Sequence, residues 1–239
     1  MKDAIVIIPT YNEIENIETI LRAIFALEKS FHVLVVDDNS PDMTAYKVKE
    51  LQNEFGGLFL ESREEKSGLG TAYIHGFNWC LKKDYEYIFE MDADYSHNPN
   101  DLIKLYDACH NDGADMSIGS RYVKGVNVVN WPMSRVLLSY MASIYVRIIT
   151  GMKIHDTTAG FVCYKRKVLE QLDLENIKFV GYAFQIEMKF KAYLKNFKIV
   201  EIPVIFTDRT KGESKLSGGI ISEAIFGVIS MKLKSIFKK

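Results

Sequence analysis

Short apolar runs alternate with longer amphipathic stretches through the first half of the chain, and the two kinds of stretch carry different periods. Residues 4–8, 33–36, 58–60, 85–91 and 116–119 are mostly apolar, the pattern of strands buried on both faces. Between the first two, residues 13–27 set Ile14, Ile17, Leu21, Ile24 and Phe25 at helical spacing, and 44–55, 71–81 and 99–110 also read as helices. Strands alternating with helical stretches of this length imply βαβ units and a mostly parallel sheet. In such sheets ligands sit outside the carboxyl ends of the strands.

The second half is less regular. A strongly apolar helix is expected over 134–150, an extended piece over 160–164, a helix over 185–194 and a strand over 198–206. A polar loop over 207–214 follows, and the chain finishes in an amphipathic segment. The expectation is an α/β domain over 1–215, with a mostly parallel central sheet flanked by helices, and a C-terminal amphipathic helix over 216–239.

Composition narrows the class. A chain of 239 residues, 48% hydrophobic, can bury a large core. Its net charge of −1 offers no general field for nucleic acid. Cys80, Cys109 and Cys163 are odd in number and lack metal-ligand spacing, so they read as reduced packing residues. The N-terminal apolar run is a first strand, not a signal peptide, and no stretch reaches the roughly 20 apolar residues that span a bilayer. A cytoplasmic location is expected.

Chemistry gathers at the strand ends. Asp92-Ala93-Asp94 closes the fourth strand and presents hard oxygen ligands suited to Mg²⁺ or Mn²⁺ shared with a substrate phosphate. Pro9-Thr-Tyr11-Asn-Glu13 and Val36-Asp-Asp38-Asn-Ser-Pro41 close the first two strands, where an aromatic ring and carboxylates can hold a base and ribose; helix capping by Asn12 and Ser40 is the structural alternative. Lys66-Ser-Gly-Leu-Gly70 suits either a phosphate cradle or a plain turn. Gly119-Ser-Arg121, Arg135 and Ser139 offer anion contacts beside the apolar helix, and Arg209 to Lys215 place three cations in one loop. No Gly-x-Gly-x-x-Gly follows the first strand, which argues against a dinucleotide site, and no nucleophilic triad is evident.

Taken in order, Pro-Thr-Tyr-Asn-Glu, Asp-Asp-Asn-Ser-Pro-Asp, Gly-Leu-Gly-Thr-Ala-Tyr-Ile-His-Gly, Asp-Ala-Asp-x-Ser-His, Gly-Ser-Arg-Tyr and Asp-Arg-x-x-Gly-Glu-Ser-Lys resemble the dolichyl-phosphate (polyprenyl-phosphate) mannosyltransferases, inverting members of the family-two glycosyltransferases. The resemblance implies a GT-A fold, GDP-mannose as donor and a polyprenyl phosphate as acceptor. It assigns Pro9, Tyr11, Glu13, Val36 and Asp38 to the guanosine, and Asp92, Ala93 and Asp94 to the donor, with Asp94 and Asp92 on the cation. Arg121, Arg209 and Lys215 would contact phosphates or the sugar; Arg135 and Ser139, with Arg121, would receive the lipid phosphate. Asp92, Asp94, Arg121 and Arg209 form the expected catalytic set. Met43 stands where a glycine is common, and Ser96 where archaeal relatives tend to carry a metal-binding Gln, leaving the third protein ligand open.

The tail bears on location. Ile220, Ile221, Ala224, Ile225, Val228, Ile229, Leu233, Ile236 and Phe237 form an apolar stripe ending among Lys232, Lys234, Lys238 and Lys239. That pattern suits a helix lying on the cytoplasmic face of a membrane, or one packed on its own domain or a small membrane-anchoring subunit. The rival functions are a polyprenyl-phosphate glucosyltransferase or polysaccharide glycosyltransferase of the same fold, and a catalytically silent nucleotide-sugar-binding scaffold.

Overall fold

The alternation expected through the first half is present element by element in the computed structural model, which describes residues 3–208 and 218–237. Strand β1 (Ala4–Thr10) is followed by α1 (Ile17–Phe25), β2 (His32–Asp37), α2 (Thr44–Leu51), β3 (Leu58–Ser62), α3 (Leu69–Leu81), β4 (Tyr87–Glu90), α4 (Asp101–His110) and β5 (Met116–Ser120). Beyond these come β6 (Val128–Val129), α5 (Met133–Thr150), β7 (Val162–Lys165), α6 (Arg166–Gln171), α7 (Tyr182–Leu194), β8 (Ile199–Pro203), β9 (Phe206–Thr207) and α8 (Gly218–Phe237).

The main sheet has the order β3-β2-β1-β4-β7-β5-β8. Its pairings are parallel except at β7, which runs antiparallel to both β4 and β5. Alternate residues of the central strands feed two cores. Ile5, Ile7, Leu34 and Val36 point into the layer formed with α3, α6 and α7, while Ala4, Val6, Ile8, Val33 and Val35 face α1, α2 and α4. Burial on both faces explains why these strands are almost entirely apolar. The three cysteines are buried and unpaired.

Local chemistry sets several boundaries. Helix α1 begins later than its apolar spacing predicts, because the Glu13 and Ile14 N–H groups donate to Thr44 Oγ1 and Asp42 Oδ2, both at 3.0 Å. The single strand expected over 198–206 is two: β8 stops at Pro203, and β9 pairs instead with β6 in a small parallel ribbon. Pro203 lies on the edge strand, where its missing N–H interrupts no ladder.

Two glycines bring α3 close to its neighbours. A Cβ on Gly76 would lie 2.8 Å from the Ile7 side chain of β1, and one on Gly70 would lie 2.8 Å from the Phe184 ring and 2.9 Å from the Phe179 carbonyl. Helix α8 packs against α5 and α7, with Val228 fully buried and Lys232 Nζ donating to the Thr150 carbonyl at 3.1 Å. Among the described residues, no helix is long and apolar enough to cross a membrane.

Candidate active site

The carboxyl ends of β1, β2 and β3 are knitted together by side chains. Asp37, fully buried, accepts from the Thr10 hydroxyl at 2.7 Å and from the Ser40 hydroxyl at 2.6 Å. The Asn12 N–H in turn donates to Ser40 Oγ at 3.0 Å. Asn12 and Ser40 therefore fasten two strand-end loops to each other and cap no helix. Pro9 and Val36 are register partners on adjacent strands. Tyr11 lies under Lys66, whose Nζ sits 4.2 Å from the ring centroid, so the 66–70 turn leans on the first motif. Glu13 accepts from Asn16 Nδ2 at 2.9 Å.

Asp38 occupies the floor of this region and is nearly buried. Burial pushes its carboxyl up from the ordinary range, against the opposing pull of the Arg63 guanidinium, whose Nε lies 2.9 Å from Oδ1. Arg63 also donates to Thr71 Oγ1 at 2.9 Å and so joins β3, β2 and α3. No motif contains Arg63. Its only signal in the sequence is a cation just past an apolar run, facing an acidic strand end.

The Asp92–Asp94 turn follows β4 as expected. Asp92 is half-buried and Asp94 buried, with Asp94 Oδ1 accepting the Ser96 N–H at 3.1 Å. Ala93 is packed in the core beside them, and Tyr95 takes a left-handed backbone with φ 63°. Beneath the turn, the Asp92 N–H donates to His97 Nδ1 at 3.2 Å. The His97 ring stacks on Phe161 and meets Phe206 edge-on. Burial holds the imidazole down at about 4, with Asp94 opposing, so it stays neutral and its Nδ1 is committed to the backbone. The Tyr73 hydroxyl, on the glycine-containing helix α3, approaches Asp92 Oδ1 at 3.4 Å.

Among the described residues, no three His, Cys, Asp or Glu side chains converge as a closed metal cage. The pair Asp92 and Asp94 at a strand end is instead an open, oxygen-only donor set. It fits a hard cation that keeps waters and shares itself with substrate phosphate. Ser96 is buried, and its backbone supports Asp94.

Behind β4 lies a buried polar network. Glu90 accepts from the Tyr164 hydroxyl at 3.1 Å and from the Gln185 amide, and burial raises its carboxyl to about 7 despite the nearby Lys189 charge. Lys189, fully buried, donates to the Ala159 carbonyl at 2.6 Å and to Gln185 Oε1 at 3.1 Å; burial lowers it to about 8.

Arg121, expected among the anion contacts, follows directly on β5 and is already paired with a carboxylate. It is 8% exposed and forks onto Asp156, Nε to Oδ2 at 2.7 Å and Nη2 to Oδ1 at 2.6 Å, with a further bond to Thr158. Burial would raise the Asp156 carboxyl, but the Arg121 charge and hydrogen bonds bring it below the ordinary range. The Trp131 and Phe206 rings each lie 5.5 Å from the Arg121 guanidinium.

Arg135 opens α5 and stacks over Trp131 at 4.0 Å, while Nη1 donates to Asp208 Oδ1 at 2.8 Å. Ser139, one turn on, lies beside the buried Tyr122 hydroxyl without an aligned hydrogen bond. Met133, Leu137, Met141 and Ile148 run along the outer side of α5, all more than half exposed. On α8, Phe226, Leu233 and Ile236 are likewise exposed. Arg209 and Lys215 lie outside the described residues.

Comparison with known proteins gives concordant results. The pattern of Glycosyl transferase family 2 matches residues 5–173. A polyprenol monophosphomannose synthase from Mycolicibacterium smegmatis is 46% identical over 225 residues, covering 94% of this chain and 84% of that protein. An undecaprenyl-phosphate mannosyltransferase from Micrococcus luteus is 44% identical over 222 residues, covering 93% of this chain and 90% of that one. Among solved structures, the mannosyltransferase PcManGT from Pyrobaculum calidifontis, in complex with GDP-Man and Mn²⁺, superposes with a TM-score of 0.63 at 17% identity, over 99% of this chain and 64% of that chain.

Proposed function

The chain belongs to glycosyl transferase family 2, and from that membership we propose that it transfers mannose from GDP-mannose to a polyprenyl phosphate with inversion, giving a β-linked mannosyl phospholipid. Its fold is the GT-A arrangement, a mostly parallel sheet between helical layers. One observation carries the reading. Contacts run unbroken from Asp92 through His97, Phe206 and Trp131 to Arg135. They join a carboxylate turn at the mouth of the sheet to the cationic head of an apolar helix, as a reaction between a nucleotide sugar and a lipid phosphate requires.

In this reading Pro9, Tyr11, Glu13, Val36 and Asp38 hold the guanosine, with Arg63 fixing Asp38 in place. Asp92, Ala93 and Asp94 face the diphosphate, and Mg²⁺ or Mn²⁺ held by the two carboxylates would neutralise charge on it. Arg209 and Lys215, outside the described residues, are assigned to the same diphosphate. Arg121, assigned to the phosphates, is held in a fixed orientation by its fork on Asp156. Arg135 and Ser139 receive the acceptor phosphate. An acceptor oxygen, already anionic, forms a bond to the anomeric carbon as the bond from that carbon to GDP breaks. No general base is needed, so positioning dominates. The neutral, buried His97 shapes the turn and transfers no proton. The exposed apolar sides of α5 and α8 would rest on the cytoplasmic face of a membrane, bringing Arg135 to the depth of lipid phosphates.

The test is transfer of labelled mannose from GDP-mannose to a short polyprenyl phosphate, with Mg²⁺ or Mn²⁺ and an EDTA control. A mannosyl lipid that disappears with EDTA is expected. Product from UDP-glucose but not from GDP-mannose would overturn the donor, and product undiminished by EDTA would overturn the role of the carboxylate pair.

A further inference from the structure

Two fully buried tyrosines, Tyr73 and Tyr164, give their hydroxyls to acidic side chains around the end of β4. The two acids differ in kind. Tyr164 donates at 3.1 Å to Glu90, which lies inside the core. Tyr73 donates at 3.4 Å to Oδ1 of Asp92, in the half-buried turn assigned to the cation. An ionised carboxylate can only accept, so the phenol is the donor to Asp92.

Packing sets the position of the Tyr73 hydroxyl. Its ring stacks on Phe184, with centroids 6.0 Å apart and planes within 4°, and on Phe77 at 6.2 Å. The glycines of α3 lie one turn to either side of it. Gly70 lets the helix approach Phe184, and Gly76 lets it approach Ile7 of β1. A phenol delivered in this way is a fixed point against which a carboxylate can settle.

Asp92 and Asp94 are like charges two residues apart at one strand end, and they repel each other. Asp94 Oδ1 accepts the Ser96 N–H at 3.1 Å. The backbone of Asp92 is held by His97 Nδ1 at 3.2 Å. Neither of those contacts orients the Asp92 side chain, whereas the Tyr73 hydroxyl does. At 3.4 Å the bond is long for O–H···O, and bonds of this kind commonly tighten when substrate engages the site.

Building on the reading of Asp92 and Asp94 as cation ligands, we propose that Tyr73 is a positioning residue of the cation site, its hydroxyl fixing the orientation of the Asp92 carboxylate. Groups that hydrogen-bond a ligating carboxylate set its direction and are worth about 10- to 100-fold in metal affinity or activity.

The test compares the full-length wild type with Tyr73→Phe and Tyr164→Phe. Each variant deletes one oxygen from a buried ring and leaves the ring in place, so both lose a core hydrogen bond, but only Tyr73→Phe loses one to the turn. Binding of Mn²⁺ in the presence of GDP is followed by electron paramagnetic resonance, and mannosyl transfer is titrated with Mn²⁺. Tyr73→Phe should weaken Mn²⁺ binding about 10- to 100-fold. It should raise the Mn²⁺ needed for half-maximal transfer by a similar factor, with excess Mn²⁺ restoring most of the rate. Tyr164→Phe should bind Mn²⁺ within about twofold of wild type even where its melting temperature falls. Unchanged Mn²⁺ affinity in Tyr73→Phe, or an equal loss in Tyr164→Phe, overturns the inference and leaves the cation assignment standing. Failure of the wild type to bind Mn²⁺ with GDP overturns both.

Discussion

Replacing Lys189 with Met removes one charge from a network that water does not reach. Lys189 is 0% exposed and gives three hydrogen bonds, to the Ala159 carbonyl, the Gln185 carbonyl and Gln185 Oε1, at 2.6, 3.2 and 3.1 Å. Methionine fills much the same volume, so packing changes little. What remains is Glu90, equally buried, without its compensating cation. Breaking a buried pair from one side costs about 3–5 kcal/mol. For a chain of this size that lowers the melting temperature by roughly 6–20 °C. The loss should depend on pH with a definite sign. Glu90 is raised from the ordinary 4.5 to about 7, so between those values the folded state holds more protons than the unfolded, and stability falls as pH rises through that window. Without Lys189 the carboxyl rises further and the window widens upward. Urea unfolding followed by circular dichroism at pH 6 and pH 8.5 should therefore show the larger loss at the higher pH. Adding Glu90→Gln should recover part of it, with a coupling energy of about 2 kcal/mol. A loss below about 1 kcal/mol at both pH values, or an equal loss in the Glu90→Gln background, would refute the claim that the two charges compensate each other.

Other perturbations probe other parts of the molecule. Met43 has φ 70° and is well exposed, so Met43→Gly should stabilise the fold by about 1 kcal/mol in urea titration; a loss of stability would show that the side chain has a packing role. Gly70→Ala places a methyl against the Phe179 carbonyl and Phe184 and should destabilise by about 1–3 kcal/mol, with an unchanged unfolding midpoint counting against that close approach. Asp94→Asn should reduce mannosyl transfer by at least about a hundredfold, the scale of losing a principal electrostatic stabiliser, while the far-ultraviolet spectrum is unchanged; retained activity would remove it from the donor site. Leu137→Glu with Leu233→Glu should lower sedimentation with anionic vesicles without altering the melting temperature, and undiminished binding would move the membrane face elsewhere.

The parallel strands were legible because burial on both faces leaves a run of apolar residues that admits few other readings. The carboxylate turn was legible for a related reason: Asp92 and Asp94 follow such a run directly. Other parts carried no linear signal. The helix containing Lys189 is evident from its period, but nothing in that period says that this lysine is sealed away with Glu90, far off in sequence. The Gly-Leu-Gly turn suggested a phosphate cradle, yet Gly70 is required by the approach of Phe184 and the Phe179 carbonyl, a contact visible only once α7 is in place. Arg121 followed the expected strand, but its partner Asp156 lies in an irregular loop with no pattern of its own. The extended piece expected over 160–164 is present as β7, but a strand this short announces neither its place in the sheet nor its direction.

The placement of β7 also constrains the order in which the chain can assemble. Strands β3, β2, β1 and β4 come from one continuous stretch and can pair as they leave the ribosome. The outer edge of β4 then waits, because its partner is neither β5 nor any nearby segment but Val162–Lys165. Until that segment is made, a nascent half-sheet presents bare backbone along Tyr87–Glu90, next to the turn that becomes the proposed donor site. Unpaired edges invite pairing with other chains, so the short length of β4 limits the exposure. Completion of the sheet and completion of the site are then one late event, and a nascent chain truncated before Lys165 would have neither.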